Sequence, residues 1–464
     1  MRFSPVTVEV VRKVSSVFSS VAESCVPATS GRQSARPIPP GRLAGVLSSL
    51  IQRHHVPGAQ LAVWHSDELS VAEAGMEDGD RPMSVDSTVP VGSITKAFTA
   101  TLAMLLVSDE DLELDTPIGE FLPEPRGSEL GGLLTLRQLL GHTSGLPSDP
   151  AEHCASRREL LGWLHPDLLV CAPGTAFSYS SVGYALVGML IEEATGMPWQ
   201  EALETILIGP LGMNAAFIGC AGREPTAKGH AGRPGARPRV VEQMLAPMLA
   251  PVGGLALSAR ELIKFGQAHL GNPCLLDEAT AREMYTPGDA EPFGLADSWG
   301  LGLSRFQGKR ATWLGHDGTA DGTSCHLRID REGQTVVALT TNAVGGAALW
   351  SAVLRELRAL GLDIPDYRAR GERARRVTVP DESRGGYRNG ELEYVVETDT
   401  EGVVCLTVDG EVHRDLALYD CGTMSVPDPA TGLRADCGRI VRDPRTGRVT
   451  ALQVGGRLAE RVSH

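Results

Sequence analysis

In the run Val91-Gly92-Ser93-Ile94-Thr95-Lys96 a serine and a lysine stand three residues apart at the head of an apolar stretch, Ile94 to Val107. Spacing of three puts both side chains on one face of a helix, within reach of a shared proton. A serine hydroxyl becomes an effective nucleophile when a base takes its proton, and a lysine can be that base if desolvation or nearby positive charge lowers its pKa. The first turn of a buried helix offers both influences. It also leaves backbone N–H groups without intrahelical partners, so the Ser93 N–H can form half of an oxyanion hole. The chemistry implied is acyl transfer through an acyl-serine. Taken alone, the same spacing reads as an ordinary helix start, and its weight depends on what accompanies it.

Two further runs accompany it. Phe177-Ser178-Tyr179-Ser180-Ser181-Val182-Gly183-Tyr184 opens a second apolar helical pattern with a phenol followed two residues later by a hydroxyl. A tyrosine beside a cationic lysine loses its proton more readily than its free pKa of about 10 implies, and Tyr179 can then act as base and later as acid. Ser181 is placed to hold a substrate amide. A lone tyrosine here reads more simply as a core residue with its hydroxyl tied to backbone. In Trp313-Leu314-Gly315-His316-Asp317-Gly318-Thr319 a strand pattern ends in His-x-Gly. Gly318 lets substrate approach the backbone, His316 is a donor to a substrate carboxylate or to Tyr179, and the Thr319 N–H completes the oxyanion hole.

In that order, Ser-x-x-Lys, Tyr-x-Ser and His-x-Gly resemble the three active-site motifs of serine β-lactamase-like and penicillin-binding proteins, among them class C β-lactamases, DD-peptidases, esterases and transacylases. Further stretches are similar to that family: Val56-Pro57-Gly58, Leu139 through Gly141-His142-Thr143-Ser144-Gly145-Leu146-Pro147, Gly253-Gly254-Leu255 and Trp299-Gly300-Leu301-Gly302. The resemblance implies catalytic roles for Ser93, Lys96, Tyr179 and His316, an oxyanion hole at Ser93 and Thr319, substrate contacts at Ser181 and Gly318, and neither cofactor nor metal. Two positions depart from the family pattern. Ser181 stands where many members have Asn, and His316 where β-lactamases have Lys, so a substrate carboxylate is held less strongly by charge.

The elements that must position these residues follow from periodicity. Gly58 to Gly75 reads as two strands around the polar corner Ser66-Asp67. Ile94 to Val107, Ser181 to Ala194 and Ala259 to Leu270 carry helical patterns, strands return at Ala311 to Leu314, Ser324 to Ile329 and Thr335 to Thr340, and an amphipathic stretch runs from Ala347 to Leu360. One sheet is thus expected to collect both ends of a catalytic domain over 41–362, around an inserted helical region. The fold class is α+β, and the resemblance makes it β-lactamase/transpeptidase-like. Residues 1–40 read as a flexible extension. An arginine-rich connector is expected over 363–385, with five arginines from Arg368 to Arg376. Short alternating runs over 386–464, with turn signals such as Asp409-Gly410, point to a small antiparallel barrel, similar from Gly386-Tyr387 onward to the lipocalin-like domain appended to some family members. That module carries no recognisable catalytic constellation, so a supporting role is expected. A chain cut at about residue 377 should still let Ser93 react with an activated ester.

Composition narrows the function classes. A hydrophobic content of 42% and a charged content of 22% over 464 residues are ordinary for a soluble globular chain of about two domains. A net charge of -14 disfavours nucleic acid as a partner. No run approaches the roughly 20 apolar residues of a membrane span. The nine cysteines are scattered without a CxxC pair, which fits a reducing compartment, and Arg12, Lys13 and Ser15 to Ser20 interrupt any secretory h-region. A cytoplasmic location is expected. Paired histidine ligands of a metallohydrolase and a Gly-x-Ser-x-Gly elbow are absent from the sequence.

The expected function is a serine acyl-transfer enzyme that takes an acyl group from an ester, thioester or amide onto Ser93. It passes that group to an amine or other small nucleophile, as a transacylase or thioesterase of natural-product (antibiotic) biosynthesis. Its partners would be a small-molecule acyl donor and an amine acceptor, with a carrier protein as a further candidate. Two alternatives stand beside it: a hydrolase of the same family (esterase, D-amino-acid peptidase or β-lactamase), and a non-catalytic sensor that keeps the fold and a covalent adduct.

Overall fold

The alternating runs after Pro57 and those after Lys309 lie far apart in sequence, yet they join in one antiparallel sheet. In the computed structural model, which describes residues 38–122, 129–220, 222–232, 238–271, 275–369, 374–427 and 434–462, contacts divide the chain into two compact units. The first contains the described residues up to Leu114 with Val187–Thr286 and Leu301–Pro365; the second contains Asp115–Leu186, Pro287–Gly300 and the described residues from Asp366. These units cut through the segment 41–362. Most of the extension expected over 1–40 lies outside the described residues, and a helix already begins at Pro40.

In the first unit, strands β1 (Gly58–His65), β2 (Glu68–Gly75), β3 (Ser304–Gln307), β4 (Thr312–Ala320), β5 (Thr323–Asp330) and β6 (Thr335–Thr341) run in the order β2-β1-β6-β5-β4-β3. Leu61 pairs with Leu339 and Leu327 with Ala338. Ser66 and Asp67 both take positive φ, 55° and 59°, which is the backbone a two-residue hairpin turn needs to match the strand twist. Every residue of β5 and β6 is buried, because helices cover both faces.

Three helices account for that cover: α2 (Ile94–Ser108), α3 (Ala259–Ala268) and α4 (Gly346–Ala359), following α1 (Pro40–Arg53). Helix α2 is apolar all round and buried from Ile94 through Leu106, as a helix inside a core must be. Its Phe98 stacks on Phe265 of α3 with ring centroids 3.8 Å apart. Helix α3 closes on β6 at Gly266, where a Cβ would fall 2.4 Å from Val336 Cγ1. On the other face, His326 of β5 stacks on Trp350 of α4 at 4.9 Å. Val336 pairs with Ile329, an odd position of β5, whereas His326 is even, so α3 and α4 lie on opposite faces.

In the second unit the described residues after Asp366 form ten strands: β7 (Arg376–Val377), β8 (Gly385–Asn389), β9 (Leu392–Thr398), β10 (Val404–Val408), β11 (Glu411–His413), β12 (Ala417–Tyr419), β13 (Thr423–Pro427), β14 (Arg434–Arg442), β15 (Val449–Val454) and β16 (Arg457–Arg461). Their order is β7-β12-β13-β14-β15-β16-β8-β9-β10-β11, antiparallel throughout. The sheet curls over a core that includes Tyr387, Tyr394, Leu406, Met424 and Leu452, but β7 and β11 remain edges, so it is a half-barrel and not a closed one. Arg376–Val377, inside the expected connector, pairs with β12, while Arg370 and Arg373 lie outside the described residues.

Candidate active site

Ser93 ends a two-residue approach from Val91 and caps α2, with φ −61° and ψ −10°. Lys96, one turn on, is buried, and its Nζ lies 3.1 Å from Ser93 Oγ and 3.2 Å from the carbonyl of Val252. Two threonines of α2 fix the segment that supplies this carbonyl. Thr99 Oγ1 donates to the Pro251 carbonyl at 2.7 Å, and Thr95 Oγ1 accepts the Leu255 N–H at 3.2 Å. The sequence had marked Gly253-Gly254-Leu255 without a role; the neighbouring Val252 carbonyl aims the lysine at the serine.

Two glycines allow β4 to reach the serine. A Cβ on Gly318 would sit 2.0 Å from the Val91 carbonyl oxygen and 3.0 Å from the Ser93 nitrogen. Gly92 has φ +52°, and a Cβ there would sit 2.2 Å from the Thr319 carbonyl oxygen. The backbones of Gly92-Ser93 and Gly318-Thr319 therefore lie against each other, the arrangement expected of two oxyanion-hole amides. Thr323 Oγ1 holds the same approach by donating to the Pro90 carbonyl at 2.8 Å.

His316 points inward and is buried, while its neighbour Asp317 turns to the other face of β4. There the Asp317 carboxylate receives Arg328 Nη1 at 2.6 Å and Nη2 at 3.0 Å, with His326 Nδ1 at 2.8 Å. This fork fixes the strand carrying His316. Burial, and then the Lys96 charge, hold the His316 pKa down to about 4, so the ring is neutral near pH 7. Its Nδ1 lies 2.6 Å from the Asp317 carbonyl, which can only accept, so Nδ1 carries the proton. In that tautomer Nε2 is the acceptor nitrogen of the ring.

Tyr179 and Ser181 belong to the second unit. Helix Ser181–Thr195 begins there, and each amide ahead of it has a partner: Ser178 N–H to the His142 carbonyl at 2.9 Å, Tyr179 N–H to the Gly456 carbonyl at 2.9 Å, Ser180 N–H to His142 Nδ1 at 3.1 Å, and Ser181 N–H to the Ser148 carbonyl at 2.6 Å. The Tyr179 ring is wedged between His142, centroids 4.2 Å apart, and Trp299, 6.0 Å away and edge-on. Tyr184, the other phenol of the run, is fully buried with its hydroxyl on the Leu140 carbonyl at 3.1 Å. It is the structural tyrosine of the pair.

The first unit thus brings together Ser93, Lys96, His316, Gly318 and Thr319, and the second carries Tyr179 and Ser181. Sequence reasoning missed three residues around Tyr179. His142 was quoted within a family-like run but given no task, and Asn389 and Gln453 lie in strands read as supporting. Asn389 Nδ2 donates to Ser178 Oγ at 3.3 Å and to the Leu458 carbonyl at 2.7 Å, and its Oδ1 accepts the Ser148 N–H at 2.7 Å. Gln453 Nε2 donates to the Phe177 carbonyl at 3.1 Å. The C-terminal sheet is therefore bonded directly to the Tyr179 segment.

The profile of the family described as Beta-lactamase matches residues 43–360. Penicillin-binding protein 4 of Amycolatopsis lactamdurans is 30% identical over 333 residues, covering 67% of this chain and 87% of that protein. The crystal structure of SurE superposes with a TM-score of 0.78 at 36% identity over 91% of this chain and 99% of that one. The structure of SurE with D-Leu does so with a TM-score of 0.77 at 35% identity and the same coverage. D-amino acid amidase from Ochrobactrum anthropi SV3, complexed with L-phenylalanine amide, gives 0.59 at 25% identity over 69% of this chain and 98% of that chain.

Proposed function

The chain belongs to the β-lactamase family, whose fold serves serine hydrolases and acyl transferases, and from that premise we propose that it is a transacylase working through a Ser93 acyl-enzyme. The observation that carries this reading is the 3.1 Å contact between Lys96 Nζ and Ser93 Oγ at the head of a buried helix, with the Gly318-Thr319 backbone against the serine amide. Ser93 Oγ attacks the donor carbonyl carbon while its proton passes to Lys96 as general base, and the Ser93 and Thr319 amides bind the resulting oxyanion. The bond to the leaving group breaks, and that group departs with a proton supplied by Tyr179. An incoming amine then attacks the ester carbon, gives up a proton to the same groups, and releases Ser93 with its hydroxyl restored. Atoms balance: one acyl group moves from leaving group to amine.

The donor we propose is an aminoacyl or peptidyl ester or thioester with a D-configured residue at the reacting carbonyl. Support comes from two relatives, SurE solved with D-Leu and an enzyme named for D-amino acid amides. Natural-product assembly in the cytoplasm, with a donor delivered by a carrier protein, fits this chemistry. A His316 ring held neutral near pH 7 offers a β-lactam carboxylate less charge than a lysine at that position would, which makes antibiotic hydrolysis the weaker reading. The test supplies D- and L-aminoacyl thioesters with a panel of amines and quantifies amide against free acid. Transfer predicts amide from the D-donor; fast turnover to free acid with every amine overturns it in favour of a hydrolase.

A further inference from the structure

The hydrogen-bond pattern around residues 177–179 leads beyond that reading. The chain here is irregular, and a phenol on an irregular segment keeps its place only if the backbone beneath it is fixed from outside. His142 supplies two of the fixing contacts from within the same helical region. The others come from the C-terminal sheet. The turn joining β15 to β16 is Gly455-Gly456, both at positive φ, and it presents the Gly456 carbonyl to the Tyr179 N–H. A side chain at Gly456 would have to displace Leu295, since a Cβ would fall 2.3 Å from its Cδ1, and would sit at an unfavourable φ of +78°. On either side of this contact sit two buried amides. Gln453 of β15 holds the Phe177 carbonyl, and Asn389 at the end of β8 holds Ser178 Oγ, Ser148 N–H and the β16 carbonyl of Leu458 at once.

We infer that Asn389 and Gln453 are positioning residues for Tyr179, so that the C-terminal half-barrel is part of the catalytic apparatus. The inference rests on the reading of Tyr179 as a proton handler. Asn389 is suited to the task because its amide has two donors and an acceptor, and here two carbonyl-side or hydroxyl acceptors and one N–H face it. Loss of that amide takes a partner from the Ser148 N–H, the Leu458 carbonyl and Ser178 Oγ, which keeps the Leu458 N–H at 3.2 Å, and the segment carrying Tyr179 is less firmly held. A displacement of about 1 Å in a proton-transfer group costs on the order of 100-fold in rate.

The test is a double-mutant cycle in the full-length enzyme with a chromogenic activated ester. Asn389→Ala, Gln453→Met and the milder Ser178→Ala are each measured alone and combined with Tyr179→Phe, after a thermal melt shows which are folded. Each single variant is expected to lower kcat about 10- to 100-fold with little change in KM, and to alter the pH profile of kcat. In the Tyr179→Phe background the same substitutions should change kcat less than about twofold, because the group they position is gone. Wild-type kcat in the folded single variants, or losses that add in full to that of Tyr179→Phe, overturns the inference. Wild-type turnover by Tyr179→Phe alone would instead remove the proton-handler reading. Ser178→Ala deletes one hydroxyl and keeps the cycle readable if the larger truncations do not fold.

Discussion

Lys96 Nζ lies 3.1 Å from Ser93 Oγ, one helical turn along the same buried helix, and its second contact is the Val252 carbonyl. That carbonyl accepts an N–H from Nζ, which orients the side chain without engaging the amine's lone pair. Lys96→Ala should lower acylation by about 10³-fold, within the range spanned by general bases. Lys96→Arg should fare no better, because a guanidinium does not deprotonate at working pH. Intact-mass measurement of adduct formation reads both. Acylation of Lys96→Ala at the wild-type rate would exclude it as the base.

The two glycines that let β4 approach the serine give a second expectation. Gly318→Ala puts a methyl 2.0 Å from the Val91 carbonyl, and Gly92→Ala adds an unfavourable positive φ to a clash with the Thr319 backbone. Both neighbours are main chain, so the strand and the helix start must move apart. A drop of about 10²-fold or more in kcat is expected, as for loss of an oxyanion donor. Gly162→Ala, where no atom lies within 4 Å of the new Cβ, is the control and should be neutral. Equal behaviour of Gly318→Ala and the control would remove the oxyanion assignment.

The tyrosines of the Phe177–Tyr184 run should separate cleanly. Tyr179→Phe is expected to lower kcat by about 10² to 10⁴ with the melting temperature nearly unchanged. Tyr184→Phe leaves the Leu140 carbonyl without its hydroxyl, costing about 1 kcal/mol of stability, with activity kept. Steady-state kinetics and melts on both variants decide it, and an inactive but stable Tyr184→Phe would reverse the assignment.

Ser93 and Lys96 were legible because their spacing is local: a helix turn converts i and i+3 into neighbours whatever the rest of the chain does. The hairpins at Ser66-Asp67 and Asp409-Gly410 were legible for the same reason, since a two-residue turn is written in its own residues. His142, Asn389 and Gln453 were not. Each acts through contacts with residues 36 or more positions away, and an Asn in a strand or a His in a Gly-rich loop looks no different when it is merely solvated. The tautomer and protonation of His316 were likewise hidden, because the first depends on a carbonyl turning toward Nδ1 and the second on burial and the charge of Lys96. The discontinuous units were hidden too, since which loops share a core is decided by packing.

The last prediction concerns that histidine. Burial and the Lys96 charge hold the His316 pKa down to about 4, and burial followed by Arg331 holds His269 at about 3, against 6.5 for an exposed imidazole. A group whose folded pKa is lowered leaves the unfolded chain binding more protons between the two values. Stability is therefore fully present above pH 6.5, falls as the pH drops through the window from 6.5 to about 4, and stops falling on account of His316 once both states are protonated. Denaturant unfolding at pH 7.5 and 4.5 should show this loss, and His316→Gln should make it smaller. The same neutrality governs specificity. An uncharged ring whose Nδ1 proton is committed to the Asp317 carbonyl has no charge-assisted bond to offer a carboxylate, whereas a lysine at this position would supply one, worth about 1.5 kcal/mol or tenfold. His316→Lys should accordingly raise the rate of Ser93 acylation by a β-lactam about tenfold and leave acylation by a neutral activated ester unchanged or slower. Mass spectrometry of the two adducts over time measures both rates. If the substitution moves both donors alike, the charge at residue 316 does not select the donor.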